Sequence, residues 1–568
     1  MAAVSKYKSF GELRLSAVEA FVRTAILIDN EPVAGLAEPP ARPMLAKSAA
    51  YGAEAGVADE DGRAEAKEEA KNAVGHHLSV LPVTNAFASR RITCGFYFPA
   101  NDDDAVVPTA LAAARHVDAT IVDWQLRPND TSAAKELIAA LLKDDISVGG
   151  RLRLIVIYTG ERGIDAECGK LAEHLLAAGI DGLTPTDEGR ALAGKNSLVT
   201  FANKPRAIGA ALPELAGPGA RPIPWDDLPK FVLEQFALLA KGLLQSFSLK
   251  AIAAVRDDTH HLLSVFGSPL DGAYLAQRAG IGTPSDAEDM MTALLTSEFA
   301  CSILDRGIAS DVLGEGGAIH ALQARPAPNL IRVKKYEPEP LYKDIVNIPA
   351  GGAKTITANQ ASLGRLIKVG LDTNVIEFKS DDRKSLDRQF FPDDESARSS
   401  LSRFARMTSY CREVENERRI SSKALHLTGG VIIRSSDRDT ESLLLCVQPG
   451  CDAVRLTGET AFPFCPLIPS TSTFDLILNV NGTDKPFKVD RTPRSLVMIK
   501  FTPDRKRKLI LPAPRRKKVG FVSSADKKFW EFLAELRPPE NQHFTTLLVG
   551  KFNRVALNGS EWLRLHGT

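Results

Sequence analysis

Four segments far apart in the chain each carry a residue suited to polar chemistry. Ile28-Asp29-Asn30-Glu31 and Val122-Asp123-Trp124 supply carboxylates, Tyr158-Thr159 a hydroxyl, and Asn203-Lys204-Pro205 an ammonium. Gathered in one place, the set suits transfer of a phosphoryl group to a carboxylate. One carboxylate attacks as the nucleophile. The others hold Mg²⁺, a hard cation that prefers oxygen ligands and neutralises the incoming group. A lysine pairs with one phosphoryl oxygen as a point charge, and a hydroxyl donates to another.

The elements around these segments explain how they could meet. Residues 12–22 read as a short helix leading into an apolar strand, Thr24–Ile28. Strand-like runs at Ile92–Phe98, Ala119–Asp123, Leu152–Thr159 and Ser197–Phe201 then alternate with helical patterns at Asp102–Ala114, Ser132–Leu142 and Ala166–Ala178. Leu81–Ser89 reads as the first connecting helix. Apolar strands alternating with helices predict an α/β domain with a parallel sheet covered on both faces. The expected form is a flavodoxin-like doubly wound sheet of five strands in the order 2-1-3-4-5, in which ligands bind at the carboxyl ends of the strands. All four polar segments lie at such ends.

On these residues the chain resembles the receiver domain of response regulators over residues 21–206, once a loop at 36–75 is set aside. The resemblance rests on Ile28-Asp29-Asn30-Glu31-Pro32, Ile121-Val122-Asp123-Trp124-Gln125-Leu126, Ile157-Tyr158-Thr159-Gly160 and Lys204-Pro205. It implies that Asp123 is the phosphoacceptor, Thr159 the switch hydroxyl and Lys204 the phosphate-pairing lysine. It further implies that Phe201 is an aromatic switch and that Asp29, Asn30, Glu31 and Asp123 surround Mg²⁺. A histidine kinase or phosphotransfer protein is the implied partner. The sequence departs from the pattern in two places. Receivers usually carry two adjacent acidic residues after the first strand, and Asn30 replaces the second, which lowers the charge available to a metal. Residues 36–75, rich in Ala, Glu, Pro and Gly, read as a flexible insertion, because they offer little large apolar surface to bury. A degenerate pseudo-receiver, acting as a scaffold without phosphorylation, is therefore the alternative.

Downstream, residues 223–345 read as a helical domain and 346–415 as a linker with a helical segment. Residues 416–520 read as a β-rich domain marked by Gly429-Gly430, Pro449-Gly450 and Asn481-Gly482 turns, and 521–568 as closing helices over Asp526–Leu536 and His543–Leu563. This layout resembles the large receiver-domain proteins of bacterial conflict, or anti-phage, operons. Cys446-Val447-Gln448-Pro449-Gly450-Cys451-Asp452 and Ser560-Glu561-Trp562-Leu563-Arg564 are the segments that prompt the comparison.

His426, Cys446, Cys451 and Cys465 could form a four-ligand zinc site, although cysteine on a strand is more often a small buried apolar residue. Asp257, Asp258, His260 and His261 read as a solvated helix face. Two basic runs, Arg505 to Lys508 and Arg515 to Lys518, could contact phosphates, but no nucleic-acid-binding motif accompanies them. With a net charge of +1 and 44% hydrophobic residues, the 568-residue chain has no global attraction to a polyanion and enough apolar content for several cores. No apolar run reaches the length of a membrane span, no export leader opens the sequence, and the seven scattered cysteines fit a reducing cytoplasm. A P-loop, a dinucleotide fingerprint and a nucleophile elbow are all missing, so no enzyme activity is expected beyond self-phosphorylation from a phosphodonor.

Overall fold

The structure is a computed structural model, and it describes residues 7–30, 32–33, 78–100, 105–127, 129–161, 163–204, 221–281, 284–324, 391, 393–414, 425–437, 440–516 and 518–552. The expected flexible loop at 36–75, the linker at 346–362 and the end of the last expected helix lie outside these residues. The chain divides into two compact units, the first built from described residues up to 324 and the second from those after 390.

In the first unit, helix α1 (Phe10–Phe21) starts at Ser9, whose hydroxyl accepts the Glu12 N–H. The elements β1 (Thr24–Ile28), α2 (Val80–Ser89), β2 (Thr93–Tyr97), α3 (Val106–Ala114), β3 (Ala119–Val122), α4 (Ser132–Ser147), β4 (Arg153–Thr159) and α5 (Ile164–Ala177) follow. A hairpin of β5 (Thr184–Thr186) and β6 (Ala191–Ala193) precedes β7 (Ser197–Asn203). The sheet order is β2-β1-β3-β4-β7-β6-β5, so it has seven strands where the sequence predicted five. The five strands from β2 to β7 are parallel, and the hairpin is antiparallel along the β7 edge. The hairpin strands are too short to stand out as apolar runs, and β5 is exposed throughout, which is why the sequence pattern missed them.

Both faces of the sheet are covered, so the central strands are apolar without alternation: every residue of β3 and of β4 is buried. One face packs α1, α2 and helix α6 (Leu228–Leu239) through Val18, Phe87 and Phe236. The other packs α3, α4 and α5 through Ala110, Leu137 and Leu171. A buried Arg153–Asp145 pair at 2.7 Å, with Arg153 Nη1 also donating to Ala114 O, pins β4 to the ends of α3 and α4. Helix α7 (Leu243–Val265) lies against α1. Its Arg256 reaches Asp118 at 3.0 Å, and the Asp118 carboxylate also accepts the Arg23 and Thr24 N–H groups at the start of β1. Helices Pro269–Gly280, Pro284–Leu304, Ile308–Leu313 and Glu315–Gln323 follow among the described residues of the unit. Arg306 pairs with both Asp257 and Asp258, while His260 and His261 are exposed.

The second unit is built on an antiparallel sheet of ten strands, preceded by a helix, Asp394–Ser409, that Asp393 caps. The Asn481-Gly482 pair has positive φ at both residues and turns the hairpin between Leu476–Val480 and Thr483–Val489. Two expectations are corrected. The predicted helix over Asp526–Leu536 is a strand, Phe529–Leu536, inside the sheet between Val431–Asp437 and Lys518–Val522. It is buried on both faces, Trp530 and Phe532 in one core and Leu533 and Leu536 in the other, and its two polar residues, Glu531 and Glu535, are spaced as on a helix face, with no strand alternation to betray it. Tyr410–Glu413, expected in a linker and helical segment, is also a strand of this sheet. The chain re-enters a helix at Pro538–Phe552.

Candidate phosphoacceptor site

Three strand ends fix the site. Beyond β1, the Asp29 N–H donates to Tyr97 O at 3.2 Å. Beyond β3, the Asp123 N–H donates to Ile28 O at 2.8 Å, and beyond β7 the Lys204 N–H donates to Thr159 O at 2.8 Å. The ladder thus continues one residue past each strand and aims three side chains into one buried space. There Lys204 Nζ donates to Asp29 Oδ2 at 2.7 Å and to Asp123 Oδ2 at 2.9 Å. All three residues are buried, although Lys204 lies 175 positions from one partner and 81 from the other.

The charges do not balance. Two carboxylates face one ammonium, and burial makes each uncompensated charge costly. Burial, with the neighbouring Asp29 charge, pushes the Asp123 carboxyl up to about 6 against the opposing pull of Lys204. Burial disfavours the Lys204 charge, but Asp123 and Asp29 outweigh it and raise its pKa. At neutral pH Asp123 is therefore mostly ionised yet more basic than an ordinary carboxylate.

The donor set fits a hard cation. Asn30 Oδ1 is buried without a hydrogen-bond partner, beside a site carrying excess negative charge. An amide carbonyl and two carboxylates are oxygen ligands of the kind Mg²⁺ takes, with water filling the remaining positions. Among the described residues no cluster of three or more His, Cys, Asp or Glu side chains could hold a metal, so the amide oxygen matters here. Glu31 lies outside the described residues.

Thr159 is buried, and its Oγ1 accepts the Glu161 N–H at 3.1 Å. Gln125 pairs with the Glu161 carboxylate, and Asn203 Nδ2 donates to Glu161 O at 2.6 Å. The loop after β4 is therefore tied to the residues that follow Asp123 and precede Lys204. Phe201 is fully buried and meets the Trp124 ring edge-on, with centroids 5.3 Å apart. Trp124 is itself buried and donates Nε1–H to Glu167 Oε2 of α5 at 3.0 Å. Sequence reasoning missed this connection from the Asp123 loop to the helix. The only available signal was an indole, which needs a partner when buried, next to Asp123.

The proposed zinc ligands are not brought together. Cys446 pairs in register with Phe464 and Cys465 with Leu445, which places the two thiols in different cores of the second unit. Cys451 is exposed on the Gly450–Asp452 turn, and His426 is half-buried.

Residues 21–207 match the family described as the response receiver domain. No curated protein and no solved structure matches the chain.

Proposed function

We propose that the chain, with its receiver domain at residues 21–207 and hence a response-regulator-like signalling role, accepts a phosphoryl group on Asp123. The observation that carries this reading is the buried Asp29–Lys204–Asp123 constellation with a raised Asp123 pKa. An Asp123 carboxylate oxygen attacks the phosphorus of a phosphohistidine or acyl phosphate. The bond from phosphorus to the leaving nitrogen or oxygen breaks, and the leaving group keeps that electron pair. Lys204 exchanges its carboxylate contact for a phosphoryl oxygen, and Thr159 donates its hydroxyl to another. Mg²⁺, held by Asp29, Asp123 and the Asn30 carbonyl, would supply charge neutralisation at the transferring group.

The output passes through packing. A dianion on Asp123 disturbs Trp124, which touches both Phe201 and Glu167, so helix α5 senses the change. The partner in this reading is a histidine kinase or phosphotransfer protein, and the layout of helices and sheet beyond the receiver suits a defence setting. Among the described residues no helix is long and apolar enough to cross a membrane. Asn30 favours a second reading, a receiver-like scaffold without phosphoryl chemistry, because a neutral ligand weakens the metal.

Incubation of the full chain with acetyl phosphate and Mg²⁺ separates the two. Intact-mass spectrometry should find one phosphoryl adduct in the wild type and none in Asp123→Ala. An absent adduct, or one that survives in Asp123→Ala, rejects phosphorylation at Asp123.

A further inference from the structure

The opposite end of the sheet carries a cleft that the phosphoacceptor chemistry does not use. It is an open cleft of about 360 Å³ between the end of α1, the end of α2 and α6, and three of its lining residues are arginines: Arg23, Arg90 and Arg91. Glu19 and Leu233 complete most of the wall. All three arginines precede a strand of the parallel sheet, so they lie at its amino-terminal edge, away from Asp123.

Two of the guanidiniums have no assigned work. Arg90 and Arg91 are exposed and form no ion pair among the described residues. Arg23 is partly engaged, its Nη1 donating to Glu19 O at 3.1 Å and its Nη2 lying 3.9 Å from Asp257. Arg91 also sits at a position that suits glycine. The Arg91 N–H closes the end of α2 onto Ala88 O and the Ile92 N–H returns to Phe87 O, with Arg91 at φ 61°. A helix end of this kind usually takes glycine, because a Cβ is strained in the left-handed region. Keeping a guanidinium there trades local strain for a cation facing the cleft.

We propose that this cleft binds a small molecule bearing two or more adjacent phosphoryl groups. A guanidinium fork matches phosphate oxygens two at a time. The Arg90 and Arg91 forks can each take one phosphoryl group, Arg23 against the single Glu19 carboxylate keeps the opening net positive, and the volume falls in the range of small-molecule sites. The simpler account of Arg90 and Arg91 is that they only complement the dipole at the end of α2. That account gives them no affinity for an anion.

The test is isothermal titration of the full chain with inorganic pyrophosphate at low salt and without Mg²⁺, with orthophosphate as the comparison. The expected result is saturable pyrophosphate binding that weakens as salt rises, about tenfold or more tighter than orthophosphate. The combined Arg90→Ala and Arg91→Gly variant should lose about tenfold or more in affinity, the usual scale for charge-assisted hydrogen bonds. Arg91→Gly alone should raise the melting temperature by roughly 2–4 °C while weakening binding, because it relieves the strained backbone and removes one fork. Asp123→Ala should bind pyrophosphate as the wild type does. No saturable binding, an unchanged dissociation constant in the arginine variants, equal affinity for orthophosphate, or loss of binding in Asp123→Ala would each overturn the proposal.

Discussion

Replacing Asp123 by Asn should stabilise the first unit at neutral pH and leave it nearly unchanged in acid. The Asp123 pKa rises from 3.8 to about 6 in the folded protein, mainly through burial and despite Lys204. Between those values the folded state holds a proton that the unfolded chain has already lost. Wild-type stability therefore falls as pH climbs through that window and is flat above it. A rise of about two pKa units corresponds to about 3 kcal/mol at pH 7.5. Asn fills nearly the same space without a charge, so the variant escapes that cost, and Lys204 keeps Asp29 as a partner. Scanning calorimetry of the full chain, with hydrogen exchange on peptides from β1 and β4 to assign the transition, should show the variant several degrees more stable at pH 7.5. The gap should close by about pH 4. Added Mg²⁺ should narrow the gap at pH 7.5, since a ligand that binds only the folded wild type stabilises it by mass action. A variant equal to or less stable than wild type at pH 7.5, or a gap that persists in acid, would refute the charge-imbalance account of this site.

Lys204→Ala strands two buried carboxylates and should cost about 3–5 kcal/mol in urea unfolding. Because the Lys204 pKa is raised in the fold, its contribution is present below the unfolded lysine value and lost as pH rises through the folded one. Asn30→Asp replaces a neutral ligand by an ionised one and should tighten Mg²⁺ binding, read by fluorescence of Trp124 beside the acceptor. Equal or weaker affinity would mean that another group already supplies the charge. Phe201→Ala opens a cavity against Trp124 and should destabilise the first unit by about 3–5 kcal/mol. Glu167→Ala, which leaves the Trp124 N–H without its acceptor, should cost only about 1–2 kcal/mol but blunt the response of α5 to phosphorylation, measured by hydrogen exchange.

The sequence determined more of the site than of the surrounding architecture. That Asp29, Asp123 and Lys204 meet was legible because each follows an apolar run, and strand ends of a parallel sheet converge whatever their separation in the chain. The same runs predicted the parallel strands to within a residue or two, since burial on both faces forces continuous apolar sequence. Tertiary structure decided the rest. That Lys204 bridges both carboxylates, and that burial lifts Asp123, depends on distances and desolvation that no residue type encodes. Phe529–Leu536 read as a helix because its apolar residues do not alternate and its two glutamates, Glu531 and Glu535, recur at helical spacing; its partners Val431–Asp437 and Lys518–Val522 made it a strand. His426, Cys446, Cys451 and Cys465 read as a possible four-ligand set, but pairing register puts Cys446 and Cys465 in different cores, since side chains alternate faces along a strand. The arginine cleft was invisible for the same kind of reason: Arg23 and Arg90-Arg91 precede two different strands, and only sheet pairing between β1 and β2 brings them to one opening.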